Sequence, residues 1–322
     1  MTAGGEGGTE RAAGAARGQK GASATVHGAI SIVNALATRK GATLGVALRV
    51  EADVLAVPGR GGITVTRKDG RKGGERRPGG GRRRPNHQFS SRLIQKTVQR
   101  VVPKSELESS RIEIAISSEM PAGFGLKSSS AISSAVALAC DRAFGLRMSD
   151  HQILLAGVEA SIASKVSITG AYDDACSCYY GGFNVTDNAR RRLVRHQRAP
   201  RGMSAVIFIP KSRRRGNLKR LRLLREAFDG AWGLAKRAEY WKAMTVNGLA
   251  TASVLGSDPE LVARLAEKGA LAASVSGNGP AIAAVAKDAD VQGVSKVFAA
   301  SMEGRTIVSG LSNKKAEAHD TL

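Results

Sequence analysis

The densest chemistry in the chain lies in Pro121-Ala-Gly-Phe-Gly-Leu-Lys-Ser-Ser-Ser-Ala131. Gly123 and Gly125 allow a tight backbone path and a close approach to a ligand. Lys127 adds a positive charge, and Ser128, Ser129 and Ser130 add hydroxyls. A small-residue helix follows, and the N–H groups and dipole at a helix start attract anions. The chemistry on offer is the holding of a polyphosphate. The plainer reading of a serine run after a glycine turn is a helix cap. Spacing excludes two familiar phosphate loops. Lys127 lacks the preceding glycine of a P-loop, and no third glycine completes a dinucleotide fingerprint.

Three other segments carry candidate groups. Asp173 and Asp174 stand in Ile168-Thr-Gly-Ala-Tyr-Asp-Asp-Ala175, among small and apolar residues. Buried carboxylates need partners, so the pair either caps a helix or orients and deprotonates a hydroxyl in phosphoryl transfer. Glu159, on the preceding helix, is either a solvated acid or a magnesium ligand. Asn34 interrupts the apolar run His27–Thr38, which favours a buried hydrogen-bonding role. The fourth segment, Ser274-Val-Ser-Gly-Asn-Gly-Pro-Ala281, reads as a turn between two strands.

These groups need elements to position them. Strand patterns cover 24–34 and 46–57, and 62–67 is able to pair with the latter. The basic glycine-rich stretch 68–87 reads as a loose hairpin tip or insertion. A helix is expected over 90–101, a strand over 111–117 and a long helix over 128–144. A second helix starts at Ser149 or Asp150, and a third stretch ends at Gly181-Gly182. Ala205–Ile209 is a buried strand. Helices over 218–228 and 234–249 follow, then one capped by Asp258-Pro259 and closed by Gly269. Strands over 272–276 and 281–286 flank the glycine turn, and 305–309 forms a last strand. This mixed order predicts an α+β protein. Its expected parts are a disordered tail over 1–22, an N-terminal domain over 23–200 and a C-terminal domain over 201–322.

Composition narrows the function classes. The 322 residues are 42% hydrophobic but only 4% aromatic, so the core is built from Ala, Val, Ile and Leu. No apolar run reaches the roughly 18–20 residues of a membrane span, and the N-terminus has no secretory apolar region. A cytoplasmic protein is expected. Cys140, Cys176 and Cys178 cannot all pair, and a lone C-x-C makes a poor zinc site. The net charge is +22, and residues 58–87 hold ten Lys/Arg against two Asp/Glu. Such loops are either simply solvated or contact nucleic acid. They attract anionic substrates in both cases.

Together and in this order, the four segments resemble the signature motifs of the GHMP kinase superfamily. Pro121 to Ser129 matches its nucleotide loop P-x-x-x-G-L-G-S-S, with Lys127 in place of a glycine. Ser276-Gly-Asn-Gly-Pro-Ala281 matches its C-terminal glycine motif. Gly28-Ala-Ile-Ser-Ile-Val-Asn-Ala-Leu-Ala-Thr38, Gly125-Leu-Lys-Ser-Ser-Ser-Ala131 and Ile168–Ala175 are similar to the archaeal-type shikimate kinase branch. The resemblance implies a two-domain fold with a ferredoxin-like C-terminal domain. It implies ATP as phosphoryl donor, Mg2+ as its companion and shikimate as acceptor. Pro121, Ala122, Gly123, Phe124, Gly125, Leu126, Lys127, Ser128, Ser129, Ser130 and Ala131 would wrap the nucleotide, with Gly277 and Gly279 supporting the loop. Ser128 or Ser129 and Glu159 would share the metal. Asp173 has the better spacing to Gly181-Gly182 for the catalytic acid, with Asp174 one residue away. Lys127 would neutralise phosphate charge. Asn34 would line the acceptor site, and Arg39 or Lys40 would grip the acceptor carboxylate.

Overall fold

The computed structural model describes residues 18–68, 89–167, 170–212, 216–255 and 258–322. Most of the expected tail, nearly all of the basic insertion, Ile168-Thr169 and the Arg213–Arg215 run lie outside these residues. Order begins earlier than expected. Strand β1 (Lys20–Val33) starts inside the predicted tail, because Lys20, Gly21 and Ala22 already pair with β2 (Lys40–Pro58).

Two sheets organise the chain. The first is built around β1 and β2, whose buried Ala, Val, Ile and Leu positions fill the larger core. β2 is long enough to serve two neighbours along one edge. Its start pairs with β5 (Phe183–Asp187) and its end with β4 (Ser110–Ser118). β6 (Arg192–Gln197) extends β5. The strand β3 (Gly62–Arg67) corrects an expectation: it lies parallel to β4 at the sheet edge rather than against β2. The reason is burial. β4 presents Ile112, Ile114 and Ile116, all essentially fully buried, whereas β3 is mostly exposed. The apolar strand takes the inner place and the polar one the rim.

Helices α1 (Ser91–Val101), α2 (Lys104–Ser109), α3 (Ser128–Phe144), α4 (Asp150–Ala163) and α5 (Tyr172–Tyr180) accompany the first sheet. α3 matches the expected bounds and is buried almost all round, from Ser130 to Cys140. Its small residues permit close packing. A Cβ added at Gly157 of α4 would come within 2.9 Å of Ser133 Oγ.

The second sheet is a four-stranded antiparallel one, ordered β10-β7-β9-β8. Its strands are β7 (Met203–Pro210), β8 (Ala270–Val275), β9 (Ile282–Lys287) and β10 (Gly304–Gly310). The order fourth-first-third-second, with helices between the first and second and between the third and fourth, is the expected ferredoxin-like arrangement. Helices α6 (Arg225–Lys236), α7 (Tyr240–Leu255) and α8 (Glu260–Glu267) occupy the first crossing. α6 follows a 3-10 turn at Leu218–Leu224, so the break falls at Arg225 instead of within one helix to 228. α9 (Val291–Ser301) fills the second crossing and was not foreseen. Its Gly293 and β-branched residues are weak helix formers, but burial of Val294 and Phe298 overrides propensity, with Phe298 stacked on Phe208. Burying a ring of that size contributes about 2–3 kcal/mol. A final strand, β11 (Glu317–Asp320), returns to the first sheet and pairs with β1. No described helix is long and apolar enough to cross a membrane.

Candidate active site

The loop before α3 turns through left-handed backbone at alternate residues: Gly123 (φ 84°), Gly125 (φ 88°) and Lys127 (φ 64°). Loops of this kind gather N–H groups around an anion. Pro121, Phe124 and Leu126 are buried and anchor the loop, while Gly123 is exposed and Ala122, Gly125 and Ser129 are half-buried. Ser128, Ser130 and Ala131 are buried in the first turn of α3.

Lys127 begins α3 with φ 64° and ψ 20°. That conformation costs a residue with a Cβ about 1–2 kcal/mol, which makes glycine the easier occupant. The side chain accounts for lysine. Its Nζ lies 2.8 Å from Asp174 Oδ1 and donates to Ser31 Oγ at 2.8 Å. The lysine side chain is 4% exposed and that of Asp174 17%. Burial pulls the lysine pKa down, but the charges of Asp174 and Asp173 outweigh it and leave it above the ordinary value. Lys127 is therefore a fixed cation.

The other motifs close on this pair. Ser31 Oγ accepts a second hydrogen bond, from the Gly277 amide at 2.9 Å. Asn34 Nδ2 donates to the Gly277 carbonyl at 2.7 Å, and the Asn34 amide donates to Asn247 Oδ1 at 2.8 Å. Ser276 Oγ donates to the Gly125 carbonyl at 2.9 Å, and the Ala281 amide to that of Phe124 at 3.1 Å. Gly279, at φ 65°, makes the turn that lets its amide bond Ser276. The two sheets thus meet where the nucleotide-type loop crosses the glycine turn. At Gly125 a Cβ would overlap the Ser276 carbonyl, on backbone that already disfavours side chains. Gly125→Ala is expected to open this crossing and weaken ATP binding by tenfold or more, on the order of 1.4 kcal/mol; calorimetric titration with ATP checks it.

Asp173 and Asp174 occupy the first turn of α5, where the helix dipole favours carboxylates. They face different surroundings. Asp173 is 4% exposed, with its carboxylate packed over Gly41, where any side chain would overlap it. Asn188 Nδ2 donates to Asp173 Oδ1 at 2.6 Å, and Thr43 Oγ1 donates to the Asp173 carbonyl at 2.9 Å. Burial raises the Asp173 pKa, and the charge of Asp174 adds to this. Lys127 and the Asn188 hydrogen bond oppose it, leaving the group pushed up to about 7. Asp174 instead points to Lys127 and the loop.

Three expected residues stand apart from this cluster. Arg39 is exposed, in left-handed backbone (φ 60°), and reaches the acids only through its carbonyl, which accepts from the Asn188 amide at 2.9 Å. Glu159 is divided between Arg100, at 2.5 Å, and Arg191, at 3.0 Å. A carboxylate neutralised by two arginines is a poor magnesium ligand, so its expected metal role does not fit the geometry. Among the described residues no three of His, Cys, Asp and Glu gather into a metal cluster. Ser129, half-buried at the helix start, does fit a cation that arrives with nucleotide and keeps phosphate and water ligands. Lys40 is also committed, to Asp229 at 2.9 Å. Sequence reasoning missed Ser31, Gly41, Thr43, Asn188 and Asn247. Ser31 lay within a recognised motif, whereas Asn188 lies in none and directly follows β5.

Known proteins resemble this chain in sequence and in fold. The GHMP kinases N terminal domain matches residues 92–182. The chain is 37% identical to the shikimate kinase of Methanosarcina acetivorans, over 91% of this chain and 95% of that one. It is 33% identical to the shikimate kinase of Pyrococcus furiosus, over 80% and 88%. Among solved structures, homoserine kinase from Cytophaga hutchinsonii superposes with a TM-score of 0.68 at 19% identity, covering 93% of this chain and 98% of that one. L. major mevalonate kinase gives 0.65 at 14%, covering 90% and 96%. Those two likenesses establish the fold, and the closer sequence relatives establish the branch: the chain belongs to the archaeal-type shikimate kinase family of the GHMP kinase superfamily.

Proposed function

We propose that the chain transfers the γ-phosphoryl group of ATP to the 3-hydroxyl of shikimate, yielding ADP and shikimate 3-phosphate. The observation that carries the reading is the buried cluster in which Lys127 of the loop meets Asp174 of α5, Ser31 of β1 and Gly277 of the second sheet. A loop built for phosphate and an acid suited to a hydroxyl are held within one hydrogen-bonded unit. Phosphoryl transfer asks for positioning and charge neutralisation more than for covalent chemistry.

The loop from Gly123 to Ser130 and the start of α3 hold the phosphates, with Lys127 supplying a permanent positive charge. Ser129 would hold Mg2+, which supplies further neutralisation of the phosphate oxygens when bound. Asp174 orients the acceptor hydroxyl and takes its proton as the new O–P bond forms and the bond to the ADP oxygen breaks. It is favoured over Asp173 because it is the more exposed of the two and faces the loop. Arg39, exposed beside the site and linked to it only through its carbonyl, would have to swing its guanidinium inward to meet the acceptor carboxylate. The reaction runs in the cytoplasm.

ADP release measured with shikimate, homoserine and mevalonate as acceptors tests the proposal. Shikimate is expected to give the highest kcat/KM by at least about a hundredfold. Preferred use of homoserine overturns the acceptor assignment.

A further inference from the structure

We infer that Asn188 is a positioning residue for the phosphoryl-transfer carboxylates: it caps the helix that carries both acids and fixes the Asp173 carboxylate behind Asp174. The inference rests on the reading of this site as a kinase site.

The start of α5 needs outside help. Its N-cap position is Ala171, in left-handed backbone and with no side-chain cap hydrogen bond. The first-turn N–H groups of a helix have no partner within the helix. Asn188, which follows β5, supplies one from a distant segment. Its Oδ1 accepts from the Asp173 amide at 3.1 Å, and its Nδ2 donates to Asp173 Oδ1 at 2.6 Å. One side chain therefore grips both the backbone and the carboxylate of the same residue.

Asn188 is itself fixed from every side. It is 4% exposed. Its amide donates to the Arg39 carbonyl at 2.9 Å, and its carbonyl accepts from the Arg191 amide at 3.4 Å. Thr186 Oγ1 donates to its Oδ1 at 2.8 Å. This network decides the amide orientation. Two donors, the Thr186 hydroxyl and the Asp173 N–H, converge on one atom, which must be oxygen. The carboxylate faces the other atom, which must be nitrogen. The same contacts place the Arg39 turn one residue from the acids.

The charged and titratable groups around Asp173 are Asp174 on its own helix, Lys127 on α3 and the buried Cys176 and Cys178. Asn188 is the neutral donor in this set. A donor that favours the charged form of Asp173 offsets part of the rise that burial and the charge of Asp174 impose on it.

The test exploits the two functions of one amide. Asn188→Asp keeps the shape and the helix-capping oxygen, but it sets a carboxylate against the Asp173 carboxylate. Like charges at this distance raise the pKa of the pair. The acid limb of the kcat profile with shikimate is expected to move up by about one pH unit or more, with kcat at neutral pH down by about tenfold to a hundredfold. The KM for ATP should change less than about threefold. Thermal midpoints of wild type and variant, measured without substrates, should lie closest at acid pH, where the carboxyls are protonated, and diverge as pH rises. Thr186→Val, which removes one of the two donors to Oδ1 without touching Asp173, should shift the acid limb in the same direction by a smaller amount.

A wild-type profile for both variants overturns the inference, as does a midpoint difference that does not vary with pH. If the wild type fails to phosphorylate shikimate, the kinase reading falls. The midpoint series then still decides whether Asn188 and Asp173 are coupled. If Asn188→Asp does not fold, the Thr186→Val profile decides the matter alone.

Discussion

Asp174→Asn is expected to lower kcat for shikimate phosphorylation by about a thousandfold while ATP binding stays within about threefold of wild type. The amide keeps the size of the carboxylate but cannot accept the hydroxyl proton. It also weakens the ion pair that holds Lys127 at 2.8 Å. Asp173→Asn is the informative companion. Asp173 lies against Gly41 and receives the Asn188 donor, so an amide there must place either an N–H or a carbonyl against a group arranged for a carboxylate. Its loss is expected to appear as reduced stability with a smaller fall in kcat, about tenfold to a hundredfold. Single-turnover phosphorylation, equilibrium ATP binding and thermal denaturation on both variants separate the roles. A dead Asp173→Asn beside an active Asp174→Asn would exchange the two assignments.

The second large effect belongs to Lys127. Removing one partner of a buried pair leaves an uncompensated charge and costs about 3–5 kcal/mol. Lys127→Met should show that full loss, because methionine retains the left-handed strain. Lys127→Gly should recover about 1–2 kcal/mol of it, since glycine adopts φ 64° freely. Glycine is thus expected to be the more stable variant, although both lose most of their turnover. The pH dependence has a definite sign. Asp173 has a folded pKa raised from 3.8 to about 7, so its contribution to stability is complete below 3.8 and is lost as pH climbs through 7. Lys127 opposes that rise. Without it the folded pKa lies higher, and the loss continues at pH values where wild type has levelled off. The gap in thermal midpoint between wild type and Lys127→Met should therefore be wider at pH 9 than at pH 6. An equal gap would mean that Lys127 does not feel Asp173.

Much of this site was legible because its parts are local. The strand, glycine turn and helix of Arg111 to Phe144 follow from periodicity and turn chemistry within a single stretch, and so does the turn at Gly277 to Pro280. What the sequence could not supply were partners distant along the chain. Glu159 looks like a metal ligand until Arg100 and Arg191 are brought to it. Gly62–Arg67 looks like the second arm of a hairpin until the isoleucines of β4 take the place beside β2. Asn188 resembles any turn asparagine, and only the fold carries it to the start of α5. Lys127 was visible as a departure from glycine, but its left-handed backbone and inward side chain are properties of the assembled core.

The return of β11 bears on how the enzyme is made. Glu317 to Asp320 lie beside β1, and Asp320 joins Arg142 near the end of α3 at 2.6 Å. The first sheet therefore gains its outer strand only after the whole of the second has been synthesised. During translation the loop and its acids exist for most of that time on an unfinished sheet. Contacts between segments this far apart carry a loop-closure cost that local helices avoid. The outer edge of the first sheet is thereby made to wait for a segment that follows the second sheet, and a chain arrested before β11 leaves the edge of β1 bare.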